Sequence, residues 1–154
     1  MIEVNECVDV ASMPQTVWKL LSDPHAVVDF VPGAMLGEQH EDGSYDATIT
    51  VKFGLAKVSF RVRFSLELDA QAMTGQVTAR GKDNQGGTRI RATMNFKVTE
   101  QTDPPGASIP IEAKLEVSGR LAMVVEAGAS IVTKSIMAEF SKRLAERCAG
   151  TVAT

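Results

Sequence analysis

Cysteine is nearly absent, with Cys7 and Cys148 alone at opposite ends of 154 residues. Two are too few for a disulfide framework, and their spacing fits no metal-ligand set, so a reducing, cytoplasmic address is expected and no metal. The chain has no apolar run of about 18 residues and no basic start leading into an apolar stretch. Neither a spanning helix nor a secretory leader is therefore expected, and any membrane contact would be peripheral, at the inner face. Positive charge is not in excess either. A formal net charge of −3 argues against general nucleic-acid binding. Histidine is scarce, and both His25 and His40 stand in polar, turn-rich surroundings where exposure is expected rather than catalysis. No Gly-x-Ser-x-Gly, metal quartet or phosphate loop occurs, which leaves no catalytic residues to name.

What remains is an ordinary globular composition, 44% apolar and 23% charged, in a chain long enough to bury one core. A single domain over residues 1–150 with a short tail at 151–154 is expected. Residues 2, 4, 8 and 10 are apolar with period two and predict a first strand, with Glu6 as the one ionisable residue in the apolar phase. Ser12-Met13-Pro14-Gln15 reads as a helix start in which Ser12 caps. A second short helix follows Asp23-Pro24 and is closed by Pro32-Gly33. From Tyr45 the period is two again, through Phe53, then Val58 to Leu68, Met73 to Ala79, Ile90 to Val98 and Ile109 to Val117, with short polar turns between. Clean alternation with one wet face marks an antiparallel meander. Leu121, Val125, Gly128, Val132, Ile136, Phe140 and Leu144 then recur at three- and four-residue steps, predicting a helix of about 40 Å. One dry sheet face needs a cover, and only this helix is long enough. The order predicts an α+β, helix-grip fold: a curved antiparallel sheet of six to seven strands around a long C-terminal helix, with two short helices after the first strand.

A sheet curled about one helix does not always fill its concave side. The inward set mixes Phe53, Phe60, Phe64 and Phe96 with Ala47, Gly75, Ala79, Ala92 and Ala113, and the helix is lean at Ala127-Gly128-Ala129-Ser130. Small faces opposed give either close packing or an empty apolar volume, and ligand pockets are mostly apolar.

The stretches "VWKLLSDPHAVVDFVPGAM", "GSYDATITVKFGLAKVSFRVRF" and "VSGRLAMVVEAGASIV" make the chain similar to the CoxG family of carbon monoxide dehydrogenase subunits. That family lies within the START-like, Bet v 1-like SRPBCC superfamily. The matching residues are Trp18, Leu20, Leu21, Asp23-Pro24, Pro32-Gly33-Ala34, Gly43, Tyr45, Lys52 with Gly54, Phe60, Gly81 and Ser118-Gly119-Arg120-Leu121. Val62 departs from the resemblance, which has a small glycine there, and no long C-terminal tail follows. The resemblance implies a non-enzymatic binder of a quinone or lipid-like molecule, with no covalently bound cofactor. Such a binder would be accessory to a molybdenum hydroxylase of the carbon monoxide dehydrogenase type. Tyr45, Phe53, Phe60, Phe64, Met94, Phe96 and Leu115 would then line the sheet side, and Val125, Gly128, Val132 and Ile136 the helix side. Phe30, Pro32 and Gly33 would form the portal. The alternative is an enzyme of the polyketide cyclase/dehydratase kind on the same fold, and a third reading is an interaction module with a filled core.

Counting through the hairpins places Arg61, Arg80 and Arg89 side by side on the outward face, with Arg63 and Arg91 next. Like charges opposite one another cost stability, so this cluster reads either as a solvated face relieved by Glu67, Glu112 and Glu116 or as a surface for an anionic partner.

Overall fold

The computed structural model describes residues 1–53, 55–85 and 87–152. Gly54 and Gly86, and the last two residues of the expected tail, lie outside the described residues. Chain order is β1 (Ile2–Val10), α1 (Pro14–Leu21), α2 (Pro24–Phe30), β2 (Ala34–Gln39), β3 (Tyr45–Phe53), β4 (Ala56–Asp69), β5 (Thr74–Asp83), β6 (Thr88–Lys97), β7 (Thr99–Thr102), β8 (Pro105–Gly119) and α3 (Ala122–Val152). The sheet is antiparallel, in the order β1-β8-β6-β5-β4-β3-β2, and β7 pairs with β8. It has eight strands among the described residues instead of six to seven. Two strands lie outside the alternating runs, β2 directly after the Pro-Gly corner and β7, whose sequence Thr-Glu-Gln-Thr has no apolar member to mark a phase.

Local chemistry sets the ends of the helices. The Asp23 carboxylate accepts from the His25 backbone N–H at 3.0 Å and caps α2, as its Asp-Pro start implies. Ser12 does not cap α1. The capping position falls on Met13, without a side-chain bond, while Ser12 is buried and hydrogen-bonds the Cys148 thiol. A cap one residue early cannot reach the first-turn amides. At the start of α3, the Leu121 N–H donates to Thr88 Oγ1 at 2.9 Å and the Arg120 N–H to the Gly87 carbonyl at 2.9 Å. The β5–β6 hairpin therefore aims the long helix across the sheet.

The Pro-Gly corner after α2 is more than punctuation. Gly33 has φ +80°, a region costly for residues with a Cβ, and a Cβ there would collide with the Thr50 carbonyl oxygen of β3. The Gly33 carbonyl in turn accepts from the Thr50 N–H at 3.0 Å. This contact fixes the end of α2 onto the middle of β3.

The buried apolar side chains form two separate clusters. One joins Val8, Val10, Ile109 and Phe96 of the sheet to Val17, Leu21 and Phe30 of α1 and α2 and to Phe140, Leu144 and Cys148 of α3. The other joins Val58, Phe60 and Val62 of β4 to Val125 near the start of α3. They close opposite ends of the space between helix and sheet.

Candidate functional site

Between the two clusters lies the centre of the inner face. Alternation along β3 to β8 points Ala47, Ile49, Phe64, Leu66, Val77, Ala92, Ala113 and Leu115 toward α3, as the sequence reading has it. All are only half-buried, and none belongs to either cluster. Across from them Gly128, Val132 and Ile136 of α3 are half-buried too. In a filled core the middle of the covered face is its most buried part. Here the ends are closed and the middle stays accessible to solvent.

The expected site residues divide along this line. Tyr45 and Phe64 come together, with stacked rings at 5.5 Å and 16°, and the His25 ring meets Tyr45 edge-on at 6.2 Å. Leu115 faces the centre beside Ala92 of β6. Val132 and Ile136 face it from the helix. Phe53 packs onto Gly128, since a Cβ on Gly128 would stand 3.0 Å from the Phe53 Cδ1 atom. At that point the small residue serves close packing and the helix rests on a ring. Phe60, Phe96 and Val125 are buried within the clusters, at 4%, 9% and 2% exposure, so they wall the ends rather than line the middle. Phe96 fills the space left by Gly75 and lies 6.1 Å from Trp18. Met94 packs against the same cluster.

Phe30 is not a rim residue. It is 2% exposed, its ring edge-on to Phe140 at 6.0 Å, and it serves as core because it points back under α3. Pro32 is half-buried and Gly33 exposed at the corner already described. His25 is exposed, its Nδ1 lying 3.4 Å from Asp23, whereas His40 Nε2 lies 2.8 Å from Asp46 Oδ1. Glu6 is half-buried and borders an open groove of about 970 Å³. That groove runs along the outer face between β1 and β4, past Asn95, Gln76 and Glu112. Ile49, Leu66 and Val77 are central positions that aromatic-weighted reading of the sequence passed over. Their period-two phase alone would have found them.

The chain matches the family model for CoxG, a carbon monoxide dehydrogenase subunit, over residues 7–149. It belongs to the CoxG family. Solved structures similar to this CoxG-family chain include a conserved protein from Geobacillus kaustophilus, at 17% identity and TM-score 0.82, covering 97% of each chain. The Zhui aromatase/cyclase from Streptomyces is similar at 13% identity and TM-score 0.63, covering 95% of this chain and 94% of the other. A point mutant of norcoclaurine synthase from Thalictrum is similar at 15% identity and TM-score 0.62, over 97% and 95%. At these identities the likeness establishes the helix-grip, Bet v 1-like fold. No curated protein sequence matches the chain. No helix among the described residues is long and apolar enough to cross a membrane.

The outward arginines fall into rows that differ from those counted through the hairpins. Arg63 pairs with Arg80 and Arg80 with Arg91, while Arg61 pairs with Lys82 and Lys82 with Arg89. Arg61, Arg80 and Arg89 therefore do not lie in one row. Both hairpins pair two residues out of the counted register, and Met73, at φ +54°, belongs to the loop of the first. Lys82 joins the cluster unforeseen.

Proposed function

We propose that this chain binds one hydrophobic small molecule, of the quinone or lipid class, in the space between the centre of the sheet and α3. It does so as a non-enzymatic carrier, without a covalently bound cofactor, accessory to a carbon monoxide dehydrogenase-type molybdenum hydroxylase at the inner face of the cell membrane. The observation that carries the reading is the half-exposed apolar centre held between two closed clusters. Leaving so much apolar surface open to water forgoes about 25 cal/mol for each Å² not buried, a loss that an apolar ligand would recover. Membership of the CoxG family supports the accessory role. Tyr45, at the stacked edge with Phe64, offers the one protic side chain among the proposed lining positions, suited to a carbonyl oxygen of a quinone. A cyclase-like enzyme would need a positioned acid–base pair there.

Trp18 is the chain's single tryptophan and packs on Phe96 at the cluster edge, so its fluorescence reports on the interior. A short-chain quinone should quench it saturably, and native mass spectrometry of protein from its own host should show one apolar adduct per chain. Unsaturable quenching together with an adduct-free mass would end the proposal.

A further inference from the structure

The outer face of the sheet carries six cations in two adjacent rows, in a chain whose net charge is −3. The first row, Arg63–Arg80–Arg91, is bracketed by carboxylates, Asp46 across β3 and Glu116 across β8. The second row, Arg61–Lys82–Arg89, is bracketed by Thr48 and Ser118 and so has no carboxylate in its own line. All six side chains are exposed, and Arg63 donates from Nε to Ser44 Oγ at 3.0 Å. Directly opposed strand positions lie roughly 4.5–5.5 Å apart, so each row is a self-repelling line of charge that sheet register holds in place. Such a pattern is unfavourable in the free chain and becomes favourable when carboxylates lie against it.

Beside the second row is a groove of about 460 Å³, lined by Met35, Gly37, Asp46, Thr48, Arg61 and Arg63. Met35 sits across from Thr48, which sits across from Arg61, and it is 70% exposed. Gly37 keeps the groove open, since a Cβ there would stand 3.1 Å from the Asp46 Cβ. The groove follows β2, an edge strand whose pairing with β3 is interrupted between Leu36 and Gln39. An apolar side chain in a groove next to guanidinium forks suits a polypeptide, because the forks match carboxylate geometry bidentately. A lipid surface would call instead for apolar side chains spread across the patch, and Leu55, Met123 and Ile131, the most exposed of them, lie off these rows on the β3–β4 turn and α3.

We infer that the β2–β6 outer face docks an acidic segment of a partner protein, with carboxylates over Arg61, Lys82 and Arg89 and one apolar side chain in the groove at Met35. The site is separate from the interior, so it stands or falls independently of ligand carriage.

The test uses the full chain and two fluorescein-labelled glutamate-rich peptides, identical except for a central leucine or serine, followed by fluorescence anisotropy at low salt. The leucine peptide should bind more tightly than the serine peptide. Replacing Arg61→Glu together with Arg89→Glu should weaken both by at least about tenfold, with the melting temperature no lower, since the row no longer repels itself, and Trp18 quenching by quinone unchanged. The milder Met35→Ser should erase the preference for leucine and nothing else. Equal binding of the two peptides by the unaltered chain would overturn the proposal, as would charge-reversed protein that binds as well as the original. Phosphatidylglycerol vesicles that bind with the same arginine dependence, while the peptides do not, would assign the face to membrane instead and overturn it too.

Discussion

Ala92→Leu separates an open interior from a filled one by the sign of its effect. Ala92 is on β6, facing α3, with Ala79 across β5 and Leu115 across β8 as its direct neighbours. It is half-buried and belongs to neither cluster. In a packed core, added carbons force off-rotamer side chains and cost about 1–3 kcal/mol. In open apolar space the same atoms find room. Three extra carbons at about 0.8 kcal/mol per buried methylene set a ceiling near 2.4 kcal/mol. Because the surroundings remain half-exposed, a gain of about 1 kcal/mol is expected, raising the melting temperature by about 2–4 °C in a domain of this size. Ala107→Leu supplies the contrast, since Ala107 is 0% exposed inside the first cluster and should destabilise by about 1–3 kcal/mol. Thermal and urea unfolding of the three proteins gives both numbers, and quinone quenching of Trp18 should weaken in Ala92→Leu as the space fills. A loss of stability at Ala92 matching that at Ala107 would refute the reasoning.

Gly33→Ala should cost at least about 2 kcal/mol, from the left-handed backbone and the collision with the Thr50 carbonyl, read as a lower urea midpoint. Under native conditions a thiol reagent at mildly alkaline pH should label Cys7 quickly and Cys148 only after unfolding. Burial raises the Cys148 thiol above its usual range, against the opposing hydrogen bond from Ser12, whereas Cys7 is exposed. Asp42 is held below the usual carboxylate value of 3.8, first by the Ser44 hydroxyl at 2.6 Å and then by the Ser44 amide. A depressed folded value means its contribution is present above the ordinary value and is lost as pH falls through the folded one. Asp42→Asn should therefore melt with a shallower dependence on pH in the acid range below about 4; an unchanged slope would count against the Asp42–Ser44 turn.

Alternation with period two is local, and it set which side chains of β3 to β8 face inward without any knowledge of their partners. It could not set the register. A slip of two residues keeps every side chain on its face, so placing Arg61 beside Arg80 or beside Lys82 satisfies the same pattern. The strand ends decided between them, and the loop between β4 and β5 carries Met73 in a left-handed backbone. β7 carries no apolar residue to mark a phase, and Ser12 stands where a cap is expected although its hydroxyl meets a thiol from the far end of the chain. The sequence alone determined the fold class, the long helix, the inward set and the family. Tertiary structure decided that Phe30, Phe60, Phe96 and Val125 close the ends while Ala92, Leu115 and Val132 stay open. Filling depends on how far α3 stands from the sheet, and that distance is set where Phe53 meets Gly128 and where the far end of the helix docks on Phe30, contacts between residues remote in sequence that no local period encodes.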